Sequence, residues 1–503
     1  MGLGRKRASN AEEKFSMSIL ACRFCQEVNG VSCIHGRVTR DMFEYLYDGR
    51  FSDELHIGYV TNGVHYPTWA HKRWQQFHQQ LLAKDFKKDI SNEELWSKIY
   101  EASDKEIWNL KEELRKELIK SVKELVESQM RRRNDPPALI MKTVKAIRDD
   151  VLTVGFARRF ATYKRAHLLF TNEERLYALL NNPQHPMQFI FAGKAHPHDK
   201  AGQDLIKRII DFSRRPEYIG KIIFVENYDM VLAKKLISGC DVWLNTPTRP
   251  LEASGTSGEK AVMNGVLNFS VLDGWWAEGY VQGAGWAVDE QITYADVHRQ
   301  DELDAANIYA IFEEQIAPAF YCRTEGIPLE WTGMMKNCFA KISPHFTMKR
   351  QLDDYYQQFY SKLQQRSEML TADGGEKLKE LVQWKNRVLS AWGNVRFLQN
   401  NLPSDPDSTF YLGFTREIYA EVELGTLQPE EVKLEIVFTR SKEGRMRLFS
   451  KYAFKLDSYH NGVARFVCPL DAKVAGVWNW ALRLIPQHPL LPHDMDLSLV
   501  KWG

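Results

Sequence analysis

Residues 241–272 read DVWLNTPTRPLEASGTSGEKAVMNGVLNFSVL, and the pattern of this segment indicates the fold class. It begins and ends with short apolar runs, 241–244 and 266–272, which are long enough for buried strands and too short for helices. The segment from Lys260 to Asn264 between them has helical character and follows a loop of small residues. A strand, a helix and a second strand in this order predict a βαβ unit and hence a parallel sheet.

The same alternation extends towards the N-terminus from this unit. Three further apolar runs precede it, and amphipathic stretches such as 203–212 and 230–237 lie between successive runs. The additional strand candidates are 151–157, 189–192 and 221–225. Strands that alternate with helices at this rhythm predict an α/β fold, in which a doubly wound parallel sheet has helices on both faces.

The flanking segments have different patterns. Residues 1–135 are predicted to be mostly helical, because Ser91 and Ser103 each begin a capping-box pattern. Helical spacing returns beyond the sheet, and the Pro- and Asp-containing stretch 401–408 is typical of a linker. After it, apolar residues alternate with polar ones, as in an antiparallel sheet with one buried face. We therefore predict four parts, which are a helical segment 1–135, the parallel-sheet lobe 136–345, crossing helices 346–402 and an antiparallel β domain 403–503.

The composition excludes several classes of function. The 503 residues include 67 Lys and Arg against 65 Asp and Glu, so the formal net charge is +2. This balance argues against nucleic-acid binding, which depends on a basic excess. No apolar run reaches the roughly 20 residues of a membrane helix, and the first residues lack the apolar core of a signal peptide. Because the 7 Cys are also sparse for this length, we predict a cytoplasmic protein that binds neither nucleic acid nor membrane.

Polar residues follow every predicted strand of the parallel sheet. Ligands bind beyond the carboxyl ends of the strands in an open parallel sheet, so these residues are expected to line one cleft. They are Arg158, Arg159 and Lys164; Gly193, Lys194 and His196; Glu226, Asn227 and Tyr228; the loop 246–260; and Asp273 with Gly274. Their cation content predicts that the cleft binds an anion.

The segment 255–260, GTSGEK, is the sharpest single feature of the sequence. Its small residues let backbone N–H groups approach an anion, and a helix is predicted to follow from Lys260. The spacing matches neither a nucleotide-binding P-loop nor the Gly-x-Gly-x-x-Gly of dinucleotide-binding proteins. A lysine beside a phosphate-binding loop suits pyridoxal phosphate, since the amine forms a Schiff base while the loop holds the phosphate. From the loop alone, a flexible turn with a surface lysine is an equally good interpretation.

Several segments together carry a family resemblance. The longest are 252–265 (EASGTSGEKAVMNG) and 158–165 (RRFATYKR). The others are 28–35, 61–69, 226–228 and 271–276. They resemble segments of the α-glucan phosphorylases, the family of glycogen, starch and maltodextrin phosphorylases. A pair of tryptophans after Asp273 and Gly274 and a terminal β domain are similar to the shorter bacterial and archaeal branch of that family.

The resemblance implies a fold, a cofactor and a set of site residues. The fold is of the glycosyltransferase-B type, with two Rossmann-like lobes, and the cofactor is pyridoxal 5'-phosphate, attached to Lys260. The implied cofactor-binding residues are Lys260, Arg158, Tyr228, Thr256, Ser257 and Gly258. The implied substrate-binding residues are Asn62, Glu252, Ser254, Gly255, Arg159 and Lys164. The implied catalytic residues are Lys260, Arg159 and Lys164.

The reaction that the resemblance implies is phosphorolysis of an α-1,4-glucan to glucose 1-phosphate with retention. The cofactor phosphate would exchange a proton with the substrate phosphate, and clustered cations would offset the repulsion between the two phosphates. We expect no metal. Possible zinc ligands at Cys22, Cys25, Cys33 and His35 lie partly in a predicted apolar helix and partly in a segment that matches the family.

Two other functions stay open at this point. Glu252 and Glu259 also resemble the paired glutamates of retaining nucleotide-sugar glucosyltransferases, which share the fold. A non-catalytic or split module that binds cofactor or glucan is the other alternative. Phosphorylases of this branch are longer than 503 residues, so we expect only part of the first lobe in this chain. On that expectation the chain is a fragment, a split polypeptide that needs a separate chain for the first lobe, or a reading frame started at an internal Met, and alone it releases little glucose 1-phosphate. A homodimer is the other expected partner arrangement.

Overall fold

The computed structural model describes residues 2–503 apart from 8, 84, 289–293, 295, 404–412, 414, 443 and 472. The described residues form two units. The sheet unit consists of Val31–His35 and Val60–Tyr355, and the β unit consists of the residues up to Gly30, of Gly36–Tyr59 and of the residues from Tyr356 on. This grouping differs from the four-part division that the sequence suggests, which stays a prediction. Residues 404–408 of the predicted linker lie outside the described residues.

Helices and strands alternate in the middle of the described chain, whereas helices predominate on either side of it and strands towards the C-terminal end. The helices are α1 (Met17–Phe24), α2 (Cys33–Phe43), α3 (Tyr66–Trp69), α4 (Lys72–Leu81), α5 (Glu93–Ser97), α6 (Asp104–Arg132), α7 (Pro137–Ala146), α8 (Glu173–Leu180), α9 (Lys200–Ser213), α10 (Met230–Gly239), α11 (Thr256–Val262), α12 (Trp276–Gly279), α13 (Val297–Ile311), α14 (Ala317–Tyr321), α15 (Leu329–Lys341), α16 (Met348–Tyr355), α17 (Ser361–Thr371) and α18 (Glu376–Ala391). The strands are β1 (Val28–Gly30), β2 (Ile57–Tyr59), β3 (Leu152–Ala157), β4 (Met187–Ala192), β5 (Ile222–Val225), β6 (Val242–Asn245), β7 (Leu267–Val271), β8 (Gly285–Val288), β9 (Arg396–Asn400), β10 (Thr415–Glu423), β11 (Val432–Lys442), β12 (Arg445–Ala453), β13 (Lys455–His460), β14 (Val463–Asp471), β15 (Asn479–Pro486) and β16 (Lys501–Trp502). Among the helices described here, none is long and apolar enough to cross a membrane.

A six-stranded parallel sheet forms the centre of the sheet unit, in the spatial order β5-β4-β3-β6-β7-β8. Numbered within the sheet, this is the order 3-2-1-4-5-6 of a doubly wound Rossmann sheet. The strand order reverses between β3 and β6, which pair directly through Val154 and Val242. The predicted fold class is confirmed, and the crevice beyond the carboxyl ends of β3 and β6 is where a ligand is expected.

Both faces of the parallel sheet are covered by apolar helices. On one face, Val122 of α6 and Leu236 of α10 belong to the same buried cluster as Ile190 of β4. On the other face, Phe191 of β4 belongs to a cluster with Phe312. Strands covered on both faces need apolar residues at successive positions rather than at alternate ones. This explains why the sequence shows them as uninterrupted apolar runs.

Two antiparallel four-stranded sheets make up most of the β unit, in the orders β13-β14-β10-β9 and β12-β11-β15-β16. Their inner faces share one core, to which α18 contributes Leu381, Trp384 and Val388. These three side chains recur at helical spacing, so α18 presents one apolar face to the sheets. The predicted antiparallel sheet structure of the C-terminal region is therefore confirmed.

A buried ion-pair network joins the segment Gly36–Tyr59 to the sheets within the β unit. Arg483 of β15 is 0% exposed, and its Nη2 lies 2.6 Å from Oε1 of Glu54 and 2.7 Å from Oε2 of Glu435. Burial opposes the ionisation of Glu54, but the hydrogen bonds and charges of Arg483 and Lys451 outweigh it and lower the pKa of Glu54 to about 2. The two acidic side chains share this buried guanidinium, and each has a further cationic partner, Lys451 at 2.9 Å from Glu54 and Lys433 at 3.0 Å from Glu435.

Candidate functional site

The loops that follow β3 and β6 meet where the strand order reverses. Arg158 directly follows β3, and its Nη2 donates to Oε2 of Glu252, in the loop after β6, at 2.8 Å. Lys164 ends a short 3-10 turn after β3 and donates to the same carboxylate oxygen. Arg158 is 9% exposed, and Lys164 and Glu252 are each 8% exposed. One carboxylate thus binds two buried cations, and the cluster keeps a surplus positive charge.

Arg158 has hydrogen-bonding capacity that its neighbours do not use. Its buried Nε and Nη1 atoms have no partner among the described residues. Burial lowers the pKa of the Arg158 guanidinium, and the charge of Glu252 opposes this shift. Buried donors without partners cost free energy unless an acceptor satisfies them. Guanidinium N–H groups beside an additional lysine suit an anionic acceptor such as a phosphate group.

The loop that carries Glu252 is held by the turn after β7. The backbone N–H of Glu252 donates to Oδ2 of Asp273 at 2.9 Å, and that of Gly274 donates to Oδ1 at 2.8 Å. Burial raises the pKa of Asp273 to about 6, and these two backbone donors oppose the rise. Gly274 has φ 54°, and a Cβ there would lie 2.2 Å from the carbonyl oxygen of Ser254. This close approach requires glycine, and it fixes the loop between β6 and α11.

Helix α11 begins earlier than the sequence predicts. The prediction of a loop through 255–260 is wrong, because Gly255 adopts φ 90° and the helix starts at Thr256. A glycine at this position has no side chain to cap the helix, so no capping signature marks its start. Thr256, Ser257 and Gly258 form the first turn, and Oγ of Ser257 accepts a hydrogen bond from the indole of Trp243 at 3.1 Å. Lys260 therefore projects from the helix and not from a loop.

The amine of Lys260 lies against an aromatic ring. Its Nζ is 3.9 Å from the ring centroid of Trp69, the last residue of α3. Burial lowers the pKa of Lys260, and the charge of Glu259 opposes the shift. A lowered pKa increases the fraction of neutral amine, which is the form that attacks a carbonyl carbon.

Asn264 fixes the position of Trp69 relative to Lys260. Its Nδ2 donates to the carbonyl oxygens of Trp69 and Lys260, each at 2.9 Å. Its Oδ1 accepts from the backbone N–H of His71 at 2.7 Å. Sequence patterns predict no role for Trp69, because only this tertiary contact brings it to the lysine.

The other expected site residues differ in their surroundings. Tyr228 is half-buried after β5; burial raises the pKa of its hydroxyl, and the charge of Arg158 opposes the rise. Oγ of Ser254 lies 3.5 Å from Oε1 of Glu259. Asn62 is half-buried in the segment before α3. The side chain of Arg159 is exposed, so the structure does not bring it into the ion-pair cluster of Arg158.

Glu259 is a fully buried acid beside Lys260. It is 0% exposed, and its Oε2 has no hydrogen-bond partner among the described residues. Burial raises the pKa of Glu259 well above its usual range, against the opposing charges of Arg350 and Lys260 and the hydrogen bond with Ser254. The folded state therefore holds this proton more tightly than the unfolded state does.

Replacing Glu259 by glutamine is expected to stabilise the protein at neutral and alkaline pH. The folded state keeps Glu259 protonated at pH values at which the unfolded state releases the proton. Glu259 therefore lowers the free energy of unfolding only above the unfolded pKa of about 4.3, and this loss grows as the pH rises. We expect Glu259→Gln to gain about 1–3 kcal/mol in the free energy of unfolding near pH 8 and less at pH 5. Urea unfolding at both pH values measures this difference. The exposed Glu330→Gln is the control, and a gain that is equal at both pH values would argue against the account.

Comparisons with known proteins extend over nearly the whole chain. The family model of the carbohydrate phosphorylases matches residues 6–278, and a model of the glycogen phosphorylase C-terminal domain matches residues 392–503. A maltodextrin phosphorylase of Thermococcus litoralis is 34% identical over 97% of this chain and 57% of its own length. A glycogen phosphorylase of Mycobacterium tuberculosis is 35% identical over 98% of this chain and 57% of its own length. A glycogen phosphorylase of Aquifex aeolicus is 42% identical over 70% of this chain and 50% of its own length. The chain thus spans 50% to 57% of the length of these relatives.

Proposed function

The chain belongs to the carbohydrate phosphorylase family, as the sequence resemblance predicts, and we propose that it takes part in the phosphorolysis of an α-1,4-glucan to glucose 1-phosphate with retention, dependent on pyridoxal 5'-phosphate. The observation that carries the proposal is the cation cluster of Arg158 and Lys164 around Glu252, at the point where the strand order reverses. Relatives named maltodextrin phosphorylase and glycogen phosphorylase support the choice of substrate.

The residues around Lys260 fit the cofactor. Burial lowers the pKa of Lys260, which favours the neutral amine that attacks an aldehyde, and Arg158 has buried donors without partners among the described residues. In the proposed function Lys260 binds the cofactor, and Arg158, Tyr228 and the first turn of α11 (Thr256, Ser257 and Gly258) surround the cofactor phosphate. When bound, the cofactor supplies a phosphate group that exchanges a proton with the substrate phosphate. The ring of Trp69 lies against the amine of Lys260 and keeps water from that side of it.

The substrate phosphate is assigned to Arg159 and Lys164. Two phosphates in a partly dehydrated site repel each other strongly unless cations offset their charges. Lys164 already binds Glu252, so an arriving phosphate competes with this carboxylate for the ammonium group. The exposed side chain of Arg159 is free to reach the phosphate from the solvent side, since it is not held in the cluster.

The glucosyl unit is assigned to Asn62, Glu252, Ser254 and Gly255. Glu252 and Ser254 are buried and belong to the loop that Asp273 and Gly274 hold in place. Fixed hydroxyl and carboxylate groups orient a sugar without the entropy loss of ordering a mobile loop. A homodimer, a separate chain that completes the first lobe and a cytoplasmic location stay predictions from the sequence.

Formation of glucose 1-phosphate from maltodextrin and inorganic phosphate tests the proposed function. The sequence leads us to expect little turnover by the chain alone. Formation of glucose 1-phosphate, however slow, should require both pyridoxal phosphate and inorganic phosphate. It should disappear in Lys260→Ala. Transfer of glucose from a nucleotide sugar to glucan, without a need for pyridoxal phosphate, would instead favour a nucleotide-sugar glucosyltransferase.

A further inference from the structure

The segment that carries Asn62 is packed against the start of α16. The backbone N–H of Val64 donates to the carbonyl oxygen of Phe346 at 2.8 Å, and the N–H of Met348 donates to that of Val64 at 2.9 Å. A Cβ at Gly63 would lie 2.3 Å from the carbonyl oxygen of Thr347. Only glycine permits this approach, which places the backbone of Gly63 beside Thr347, one helical turn before Gln351.

Gln351 bridges Gly63 and Asn62. Its Oε1 accepts from the backbone N–H of Gly63 at 2.9 Å, and its Nε2 lies 3.0 Å from Oδ1 of Asn62. A backbone N–H can only donate, so the end of the Gln351 amide that faces Gly63 must be the oxygen. The other end is therefore the NH2 group, which donates to Asn62. It follows that the atom of Asn62 facing Gln351 is the amide oxygen.

The free end of the Asn62 amide is thus its NH2 group. Among the residues that the structure describes, Nδ2 of Asn62 has no hydrogen-bond partner. The backbone around it is also held, because Arg350 donates from Nη1 to the carbonyl oxygen of Thr61 at 2.7 Å and from Nη2 to that of Asn62 at 2.9 Å. The hydroxyl of Thr61 in turn donates to Oε2 of Glu278 at 2.8 Å. With the backbone fixed, rotation of the amide is the remaining freedom of Asn62, and Gln351 removes it.

We propose that Gln351 is a positioning residue, which holds the Asn62 amide so that its NH2 group faces the glucosyl unit and can only donate a hydrogen bond. The inference rests on the proposed function, since Asn62 contacts a sugar only there. Its consequence concerns specificity: the sugar group that meets Asn62 must accept a hydrogen bond. A fluorine, which accepts weakly and cannot donate, is then tolerated at that position better than a hydrogen, which does neither.

The amide orientation can be measured without any ligand. Neutron diffraction from crystals of the deuterated chain locates the deuterium atoms of the Asn62 and Gln351 amides directly. We expect the deuterium atoms of Asn62 on the side away from Gln351. Deuterium atoms of Asn62 directed at Gln351 would overturn the inference, whatever the chain catalyses.

A ligand series tests the effect on specificity. The probes are glucose 1-phosphate and its monodeoxy and monodeoxyfluoro derivatives. For each sugar position, the readout is the dissociation constant of the fluoro derivative divided by that of the parent sugar. In Gln351→Glu the carboxylate can only accept, so the Asn62 amide turns its NH2 group towards it and presents Oδ1 to the sugar. At one sugar position this ratio should rise roughly three- to tenfold relative to wild type. Gln358→Glu, an exposed position in the same helical stretch, adds the same charge and should leave the ratio unchanged.

The outcomes separate a positioning role from a structural one. A merely structural Gln351 would weaken all probes by a similar factor, and an unchanged ratio in Gln351→Glu would overturn the inference. Asn62→Asp also presents only acceptors, so it should reproduce the raised ratio of Gln351→Glu. The neutron map can have the expected orientation while the wild-type chain binds none of the sugars. That result would refute the contact between Asn62 and the glucosyl unit, and with it this part of the proposed function. The orientation of the Asn62 amide would still stand.

Discussion

A Glu252→Gln variant is expected to lose about 3–5 kcal/mol of its free energy of unfolding, because the change leaves two buried cations without their shared anion. Arg158 and Lys164 both bind Oε2 of Glu252, and all three side chains are at most 9% exposed. Glutamine has nearly the same shape, so the loss reports on charge and not on packing. Unfolding in urea at neutral pH, with wild type in parallel, measures it.

Glu226→Gln is the matched control for this change. Glu226 also follows a strand of the sheet and binds two arginines, Arg132 and Arg133, but its side chain is 25% exposed. Because solvent screens such pairs, we expect this variant to lose no more than about 1 kcal/mol.

Inorganic phosphate should restore part of the stability that Glu252→Gln loses. An anion bound between Arg158 and Lys164 takes over the charge compensation of the missing carboxylate, and binding to the folded state alone raises its stability. The midpoint of thermal unfolding should therefore rise more with phosphate in Glu252→Gln than in wild type. Equal stability of the two proteins, or a larger phosphate effect in wild type, would contradict the assignment of an anion site to these cations.

The second large effect is expected at Arg483 in the β unit. Replacing Arg483 by methionine leaves Glu54 and Glu435 buried without their shared guanidinium. We expect a loss of about 3 kcal/mol at pH 7, near the lower limit for breaking a buried pair, because Lys451 still lies 2.9 Å from Glu54.

The loss in Arg483→Met should depend on pH. In wild type the pKa of Glu54 is lowered to about 2, so the stability from this pair is present above the unfolded pKa and is lost as the pH falls towards 2. The difference between Arg483→Met and wild type should therefore be full at pH 7 and smaller at pH 3, as measured by urea unfolding at these two pH values. Arg465→Met, which removes a 36% exposed arginine of the same unit, should cost at most about 1 kcal/mol at either pH. A loss in Arg483→Met that does not change with pH would mean that lost packing, and not charge, explains it.

The central sheet could be predicted from the sequence because its strands are buried on both faces. Strands β3 to β7 appear as uninterrupted apolar runs, and their predicted ends differ from the observed ends by at most two residues. Strand β8 is not predicted, since Gly285–Val288 is short and begins with glycine. The start of α11 is wrong by four residues, because Gly255 caps the helix with its backbone conformation and offers no side-chain signature.

The site could be predicted only in part, for a reason of chain topology. The rule for strand ends identifies Arg158, Lys164 and Glu252, because the carboxyl ends of parallel strands lie at one edge of a sheet. These three side chains form one ion-pair cluster because two loops pack together, and no local sequence pattern predicts that packing. The bond between Gly63 and Gln351 joins residues 288 positions apart in the sequence. Such contacts arise from tertiary packing, so neither Gln351 nor Trp69 could be assigned a role from the sequence.

Attachment of pyridoxal phosphate to the chain is a test of the proposed cofactor site that depends on neither glucan nor turnover. The chain is incubated with pyridoxal phosphate, reduced with borohydride, digested and mapped by mass spectrometry, with Lys260→Ala as the control. The account predicts one dominant adduct, on Lys260, whose amine has a lowered pKa and lies against Trp69. It also predicts no comparable adduct in Lys260→Ala. A dominant adduct on any other lysine, or none at all, would contradict the assignment of this site to a phosphorylase cofactor.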